Sequence, residues 1–302
     1  MTRIHDHEIE LSNLDKTLYP DAGITKGDVI DYYRRMAPRL LPRIEDRPLT
    51  LQRFPDGIGA DGFYQQQASE HFPGWLPTYR LPRAESSERD DKINHILCND
   101  EAALVYLANQ GTLTFHRWLA RTPRYTRPDR LIFDLDPTGD DFAEVRAAAR
   151  QVADLMDELG MTPHAMTTGS RGLHVLAPLK PEMDFDRVRA IAMSMAEHLA
   201  ERHPDSLTTD QRKDKRRGRL YLDVMRNAYG QTAVAPYSLR AKPGAPVATP
   251  LMLEELDRAD LGPQDYHLGN IANRLGQISD PWQDIDRHAA SPGRIEKALD
   301  SL

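Results

Sequence analysis

Cysteine is nearly absent from this 302-residue chain, in which Cys98 is the single example. One cysteine excludes an internal disulfide framework and any metal site built from several thiolates of one chain, and it fits a reducing compartment. Long apolar runs are also missing, because no stretch approaches the roughly 20 residues that a membrane-spanning helix needs. The first residues, MTRIHDHEIE, lack the apolar core of a secretory signal. We therefore expect a cytoplasmic protein that does not contact a membrane.

Positive charge is in deficit overall, with a formal net charge of −7. This balance argues against a protein that coats nucleic acid nonspecifically. Arginines are nevertheless clustered in three segments, residues 34–47, 117–130 and 212–219. Such segregation can form a basic groove on an acidic protein. No repeat or low-complexity linker divides the chain, so we expect one domain over residues 1–302, with a C-terminal helical segment of about 251–302 packed on it.

Helical and strand patterns intermix, which predicts an α/β or α+β fold. Thr25, with Asp28 three residues later, forms a capping box that opens one helix. A second helix begins at Asp140 or Asp141, and a third follows Asp184. The segment HAMTTGSRGLHVLAPL predicts two strands joined by a glycine turn, and RLYLDVM, residues 219–225, predicts another strand.

Two aspartates end an apolar run in RLIFDLDPTG. Because side chains of a strand alternate between faces, Asp134 and Asp136 share one face. Adjacent carboxylates repel each other unless a cation neutralises them, and Mg²⁺ or Mn²⁺ bridging to a phosphate is a common partner. The same alternation makes Asp223 a third candidate, provided that its strand lies beside the first one. The alternative interpretation is a solvated strand end followed by an acidic turn.

The turn TTGSRGLH offers groups that hold phosphate: free backbone amides, the hydroxyl of Ser170, the guanidinium of Arg171 and the imidazole of His174. Taken alone, it is also compatible with an ordinary glycine hairpin. His116, in TLTFHRW, has the same ambiguity, because a histidine between aromatic residues is often purely structural.

These segments together resemble a known family. FHRW with PDRLIFDLDP, then TTGSRGLHVLAPL, then RGRLYLDVMRNAYGQTAVAPYSLRAKPGAPVATPL, are similar to the polymerase domain of the bacterial non-homologous end-joining ligase, within the archaeo-eukaryotic primase superfamily. The resemblance starts at SNLDKTLYP and covers essentially the whole chain. It implies a central, mainly antiparallel sheet of the RNA-recognition-motif type, flanked by helices, with a smaller N-terminal α/β part.

The resemblance also implies an activity, which is template-directed addition of NTPs or dNTPs to a primer 3′-hydroxyl during gap filling. It implies two Mn²⁺ or Mg²⁺ ions, with manganese favoured and ribonucleotides readily used. The implied partners are DNA with gaps or double-strand-break ends, Ku and a ligase, in a cytoplasmic, nucleoid-associated setting. No lysine-x-Asp-Gly ligase motif occurs in the chain, so strand sealing is expected elsewhere.

Site residues follow from the same resemblance. Asp134, Asp136 and Asp223 would bind the two metals, with Asp223 completing the ligation of the metal nearest the 3′-oxygen. The implied triphosphate contacts are His116, Ser170, Arg171, His174, Arg240 and, less closely matched, Arg216. Lys16 and Lys26 match the family's pocket for a DNA 5′-phosphate. Arg53, Phe63 and Tyr64 match its template-contacting region, where aromatic rings stack on a base.

The chain departs from the family pattern at two places. Arg171 stands where a lysine is expected, and Gln65 or Gln66 stands where a lysine commonly follows the aromatic pair. Arginine keeps the charge of lysine but not its geometry. The glutamines leave any phosphate contact at that point in question.

Two other functions use the same residues. DLDPT fits the Asp-x-Asp-x-Thr pattern of haloacid-dehalogenase phosphatases, whose first aspartate is a nucleophile. That motif normally opens its domain, whereas over a hundred residues precede it here. The other alternative is a noncatalytic module that bridges DNA ends for a ligase. The basic clusters are compatible with it, but the three intact carboxylates argue against it.

Overall fold

The computed structural model describes residues 2–4, 6–83, 91–139 and 141–302. Its strands are β1 (Thr2–Ile4), β2 (His7–Ile9), β3 (Thr17–Tyr19), β4 (Ile24–Thr25), β5 (Leu49–Arg53), β6 (Phe63–Gln65), β7 (Thr78–Pro82), β8 (Lys92–Ile96), β9 (Thr112–Trp118), β10 (Arg130–Leu135), β11 (His164–Thr167), β12 (Leu173–Pro178), β13 (Leu207–Thr208), β14 (Leu220–Tyr221), β15 (Thr232–Val234) and β16 (Thr249–Leu251). Its α-helices are α1 (Lys26–Ile44), α2 (Glu101–Asn109), α3 (Phe142–Glu158), α4 (Phe185–Arg202), α5 (Lys213–Arg216), α6 (Ile271–Gln277) and α7 (Pro292–Leu299). Antiparallel sheets combined with helices confirm the predicted fold class.

The first compact unit comprises Met1–Pro123, Thr232–Ala248 and Tyr266–Asn273. Its antiparallel sheet has the order β15-β9-β5-β8-β7, with β6 paired to β5. The predicted capping box opens α1, because the Asp28 amide donates to Thr25 Oγ1 at 3.2 Å and the Thr25 amide donates to the Asp28 carboxylate at 2.8 Å. The apolar stripe of α1 is buried, and the Tyr33 hydroxyl donates to the Leu113 carbonyl at 2.5 Å. Helix α1 is thereby fixed to β9.

The second compact unit comprises Arg124–Gln231, Thr249–Asp265 and Arg274–Leu302. Its antiparallel sheet has the order β10-β12-β11-β16, and α3 and α4 both pack on β10. As predicted, the carboxylates of Asp141 and Asp184 cap α3 and α4 by accepting backbone hydrogen bonds at 2.8 and 2.9 Å. Asp140, the other predicted cap, lies outside the described residues. This sheet positions the residues discussed below.

The predicted strand over residues 219–225 is shorter than expected. Only Leu220–Tyr221 forms β14, Asp223 makes an isolated bridge to Asp134, and the chain turns into a 3-10 helix at Met225–Asn227. The buried side chain of Asn227 takes the place of a partner strand beside Ile132 of β10. It accepts from the Ile132 amide at 2.9 Å and donates to the Ile132 carbonyl at 2.7 Å. A side-chain amide has both a donor and an acceptor, so it can pair with the strand edge as a peptide group would.

Part of the first two arginine clusters is buried, and the predicted basic groove stays a prediction. Arg47, Arg117 and Arg130 are at most 2% exposed, although all three belong to the first two clusters. Arg47 donates to the Trp118 carbonyl at 3.2 Å and Arg117 donates to the Arg43 carbonyl at 2.7 Å. These guanidinium groups satisfy buried carbonyls, which is a structural role.

The two compact units are interleaved in sequence, because the chain returns to the first unit after residue 231 and again after residue 265. The expected single domain over residues 1–302 stays a prediction. Within the described ranges, no helix is both long and apolar enough to cross a membrane.

Candidate active site

Three carboxylate residues meet at one end of β10. Asp134 pairs with His174 of β12 on one side of the strand. On the other side, the Asp134 amide donates to the Asp223 carbonyl at 2.9 Å. The Asp134 side chain is 12% exposed, Asp223 is half-buried and Asp136 is exposed. The condition set by the sequence, that the Asp223 segment lies beside the first strand, is therefore met.

The electrostatics of these carboxylates show how closely they are grouped. Partial desolvation of the carboxyl groups by the surrounding protein raises the pKa of Asp136 and of Asp223, and the charge of Asp134 raises both further. Burial alone would also raise the pKa of Asp134, but the charges and hydrogen bonds of His174 and Arg226 outweigh it and hold that pKa well below its usual value. Asp134 is thus the carboxylate whose ionised form is most strongly favoured, through its contacts with His174 and Arg226.

This donor set fits a hard divalent ion, because Mg²⁺ and Mn²⁺ prefer carboxylate oxygens and would offset the mutual repulsion. Among the described residues, however, no three His, Cys, Asp or Glu side chains form a ready-made metal-binding group. The contacts of Asp134 offer a reason. Its Oδ1 lies 3.3 Å from His174 Nε2, and its Oδ2 accepts a 3.0 Å hydrogen bond from Arg226 Nε.

The glycine turn lies directly against the carboxylates. Thr168 closes it, because its backbone amide donates to the Gly172 carbonyl at 2.9 Å and its hydroxyl accepts from the Ser170 and Gly172 amides at 3.3 Å. A Cβ on Gly172 would stand 2.2 Å from the Leu135 carbonyl oxygen and 2.6 Å from Asp136 Oδ1, so only glycine allows this approach.

Ser170, Arg171 and His174, the predicted phosphate-binding residues of this segment, differ in their exposure and contacts. Arg171 is exposed, and its charge acts on Asp136. The Ser170 carbonyl accepts from Gln264 Nε2 at 2.7 Å, which ties the turn to a later loop. His174, predicted to hold the triphosphate, is 3% exposed and directs Nε2 toward Asp134. Its contact in the structure is therefore with the carboxylate.

Arg216 lies in the same unit, beside Asp223. Its guanidinium carbon is 4.5 Å from the centroid of the Tyr221 ring, and its charge lowers the pKa of Asp223 against the stronger effect of burial. It also donates to the Asp210 and Gln211 carbonyls at 3.1 and 2.7 Å. Two backbone contacts and one ring fix this cation near the carboxylates.

His116 and Arg240 belong to the first unit. His116 lies on β9, with its ring centroid 5.9 Å from that of Tyr64. The Arg240 carbonyl accepts a 3.0 Å hydrogen bond from the Tyr19 hydroxyl. Their predicted role in holding the triphosphate stays a prediction.

A pocket of about 250 Å³ in the first unit contains both predicted phosphate-binding lysines. Lys16 pairs with Asp56 at 2.5 Å, and Lys26 donates to the Ser12 carbonyl at 2.6 Å. Burial, and then the nearby charge of Lys16, lower the pKa of Lys26. Arg53 lines the same pocket, although the sequence placed it with the template contacts.

Arg53 links this pocket to the aromatic pair. It donates to the Gln110 carbonyl at 2.6 and 2.9 Å and to Gln65 Oε1 at 2.7 Å, and its guanidinium carbon is 5.2 Å from the Phe63 ring centroid. Gln65, one of the two glutamines at the second departure from the family pattern, thus accepts a hydrogen bond from Arg53. Phe63 and Tyr64 are 46% and 64% exposed, so each ring keeps a large surface in contact with solvent.

Sequence reasoning missed Arg226 and Asn227, the two residues that connect the Asp223 segment to β10. Both follow Asp223 within the quoted segment RLYLDVMRN, and only the unexpected 3-10 turn directs them back at the strand. The polar pair Arg-Asn directly after the apolar alternation was the available signal.

Comparison with known proteins identifies the family. The model of the family described as LigD, primase-polymerase domain, matches residues 25–282. The chain belongs to this family. It is 30% identical over 306 residues to the multifunctional non-homologous end joining protein LigD of Pseudomonas aeruginosa, covering 96% of this chain and 34% of that protein. It is 31% identical over 301 residues to the multifunctional non-homologous end joining DNA repair protein LigD of Mycobacterium tuberculosis, covering 97% of this chain and 39% of that protein.

A solved structure agrees with the family assignment. The chain is similar to the polymerase domain of Mycobacterium tuberculosis ligase D in complex with DNA, with a TM-score of 0.85 and 30% identity over 93% of this chain and 99% of that one. The resemblance seen in the sequence and the implied fold are therefore confirmed. The chain spans little more than a third of the length of the first curated relatives that it matches. Neither the phosphatase nor the end-bridging alternative is favoured by these likenesses.

Proposed function

We propose that this chain is a template-directed nucleotidyltransferase that adds NTPs or dNTPs to the 3′-hydroxyl of a primer at gaps or double-strand-break ends in DNA. The grouping of Asp134, Asp136 and Asp223 at the end of β10 carries this proposal. Membership of the LigD primase-polymerase family supports nucleotidyltransferase activity in general. We infer in addition that the reaction depends on a template, extends a primer and uses NTPs or dNTPs.

The family is generally metal-dependent, and we assign two Mn²⁺ or Mg²⁺ ions to Asp134, Asp136 and Asp223. Bound ions would ease deprotonation of the 3′-hydroxyl and neutralise charge on the leaving pyrophosphate. Asp134 is paired through its backbone with His174 of β12 on one side and with Asp223 on the other, so the positions of these groups are set before substrate binds. His174 orients Asp134 from the buried side.

We assign the triphosphate to the glycine turn and the cations beside it. Gly172 of this turn lies against Asp136 and the charge of Arg171 acts on Asp136, so phosphate oxygens held by Ser170 and Arg171 would lie beside the carboxylates. Arg216, already fixed by Tyr221, would add a second cation. His116 and Arg240 complete the set that we propose for the incoming nucleotide.

The DNA contacts follow from charge and exposure. Lys16, Lys26 and Arg53 surround one small pocket, which suits a 5′-terminal phosphate. The exposed Phe63 and Tyr64 offer rings on which a template base can stack. The relative of known structure is described as a complex with DNA, which supports DNA as the partner. Ku and a ligase, in the cytoplasm, are the further partners that we propose.

Primer extension on a gapped duplex tests the proposal, with Mn²⁺ present and NTPs compared with dNTPs. Asp134→Asn and Asp136→Asn should each lower nucleotide addition by about a hundredfold or more, because each removes a charge that the transition state needs. Binding of the gapped duplex should persist. Asp186→Asn is a matched control, since Asp186 is exposed and pairs only with Arg189 within the same helix in the contacts seen here.

Three outcomes would contradict this function. Extension that survives both substitutions would remove the carboxylates from the reaction. Turnover of a generic phosphatase substrate without nucleotide addition would favour the phosphatase, and DNA binding without any chemistry would favour the end-bridging module.

A further inference from the structure

Arg226 extends from a firmly held turn. The Met225 amide donates to Asp223 Oδ1 at 2.8 Å, and the fully buried Asn227 donates to the Val224 carbonyl at 2.8 Å and bonds both backbone groups of Ile132. Anchored on both sides, this 3-10 turn directs the intervening Arg226 at the end of β10.

The guanidinium of Arg226 lies among all three carboxylates. Its Nε donates to Asp134 Oδ2 at 3.0 Å, and its positive charge also lowers the pKa of Asp136 and of Asp223, against the stronger effect of burial. In return, the three aspartates raise the pKa of Arg226 against the effect of burial. One fixed cation thus neutralises part of the charge that makes these aspartates repel one another.

The two neighbours of Asp134 differ in their freedom to move. The His174 side chain is 4% exposed, whereas that of Arg226 is 42% exposed. A half-exposed arginine can leave an ion pair by rotating its own side chain, because water is available to the freed guanidinium. The Oδ2 side of Asp134 is therefore the side that can exchange its partner.

We propose that Arg226 is an internal counter-ion of the metal site, and that a divalent ion reaches Asp134 only by displacing this guanidinium from Oδ2. The proposal rests on the proposed function in one respect, that these carboxylates bind a metal ion. Two cations sharing one carboxylate oxygen repel each other, so Arg226 competes with the ion. Arg226 consequently lowers the affinity of the carboxylates for metal, and it stabilises the metal-free protein.

The test measures Mn²⁺ binding to the full chain without nucleotide or DNA, using the electron paramagnetic resonance signal of free Mn²⁺. Arg226→Gln should bind Mn²⁺ about fivefold to tenfold more tightly than the unmodified chain, because one competing charge is gone. Its thermal midpoint without Mn²⁺ should be lower, and the rise on adding Mn²⁺ should be larger. Arg189→Gln, in an exposed ion pair on α4, should change neither quantity.

Arg226→Lys provides the second variant. Lysine keeps the charge but loses the directional Nε contact, so its Mn²⁺ affinity should fall between those of the unmodified chain and Arg226→Gln. Should Arg226→Gln fail to fold, tighter binding by Arg226→Lys supports the proposal and unchanged or weaker binding overturns it. Unchanged or weaker Mn²⁺ binding by a folded Arg226→Gln likewise overturns it.

Asp134→Asn separates this proposal from the proposed function. If Asp134→Asn abolishes Mn²⁺ binding while Arg226→Gln leaves it unchanged, the metal site stands and only the competition is wrong. If Asp134→Asn binds Mn²⁺ as well as the unmodified chain, the carboxylates are not the metal site, and both proposals fail.

Discussion

His95 lies on β8 with 2% of its surface exposed, and its ring packs against Trp118 at a centroid distance of 5.2 Å. Burial lowers its pKa to about 4, against the opposing effect of a hydrogen bond to the Leu49 backbone. In the unfolded chain its pKa returns to about 6.5, so the unfolded state binds the proton more tightly. The resulting stabilisation is complete above pH 6.5 and is lost as the pH falls toward 4.

This pH dependence is measurable by denaturant unfolding between pH 4 and pH 7.5. The free energy of unfolding should fall by about 2 to 3 kcal/mol more in the unmodified chain than in His95→Gln over that range, because only in the former does the unfolded state gain a proton on an imidazole that stays neutral when buried. Carboxylates common to both proteins contribute equally and cancel in the difference. Parallel pH profiles for the two proteins would show that His95 does not stay neutral in the folded state.

The roles of Gly172 and Arg226 depend on spatial neighbours that the sequence does not show. The glycines of TTGSRGLH indicate a turn, but only the approach to Leu135 and Asp136 shows why Gly172 accepts no side chain. Arg226 lies outside the three arginine clusters and just after the predicted strand over residues 219–225. Its partner Asp134 is 92 residues away, so no local pattern could reveal the pair.

Among the elements, β10 depends on a side chain for part of its edge. Asn227→Ala would leave the buried amide and carbonyl of Ile132 without partners, at a cost of about 2 to 4 kcal/mol. The free energy of unfolding should fall by that amount, and the Ile132 amide should lose protection from hydrogen exchange. Nucleotide addition should fall as well, because the same edge holds Asp223.

Asn94→Ala is the control for this element, since Asn94 is exposed on β8. It should leave the free energy of unfolding within about 0.5 kcal/mol. Retained protection of the Ile132 amide in Asn227→Ala would mean that backbone or water replaces the asparagine, and the proposed edge role would then be wrong.

Amphipathic helices with side-chain caps were the most predictable elements. Thr25, Asp141 and Asp184 each precede an apolar stripe at helical spacing, and all three cap helices. Helix α2 was missed because it is apolar on nearly every side, and such a helix lacks the alternation of polar and apolar residues that reveals its period. The predicted strand over residues 219–225 was too long because only Leu220–Tyr221 pairs as a strand, with β13, and the chain turns into a 3-10 helix at Met225–Asn227.

At the scale of the whole molecule, the cations of the small pocket lie in the first unit and the carboxylates lie in the second. Recognition of the DNA end and transfer of the nucleotide should therefore be separable. Lys16→Ala with Lys26→Ala should abolish the preference for a gap bearing a 5′-phosphate over one bearing a 5′-hydroxyl, because the charges facing the phosphate are gone. Primer-extension rates on the two substrates measure that preference.

Extension of a simple primer-template without a downstream strand should remain in the double variant. Glu8→Gln with Glu10→Gln, two exposed carboxylates of the same unit, provides a control for the change in charge number. An undiminished preference for the 5′-phosphate in the lysine variant would exclude the pocket as the phosphate site.

The sequence by itself determined the helix caps, the shared face of Asp134 and Asp136, the glycine turn and the family, because these depend on residue types at short, regular spacings. The tertiary structure decided which distant residues meet these groups. It set Asp223 beside Asp134, turned Arg226 toward both, moved Arg53 into the lysine pocket and buried Arg47, Arg117 and Arg130. Such contacts join residues far apart in the chain. They form because charges and peptide groups that folding removes from water cost free energy unless they are paired.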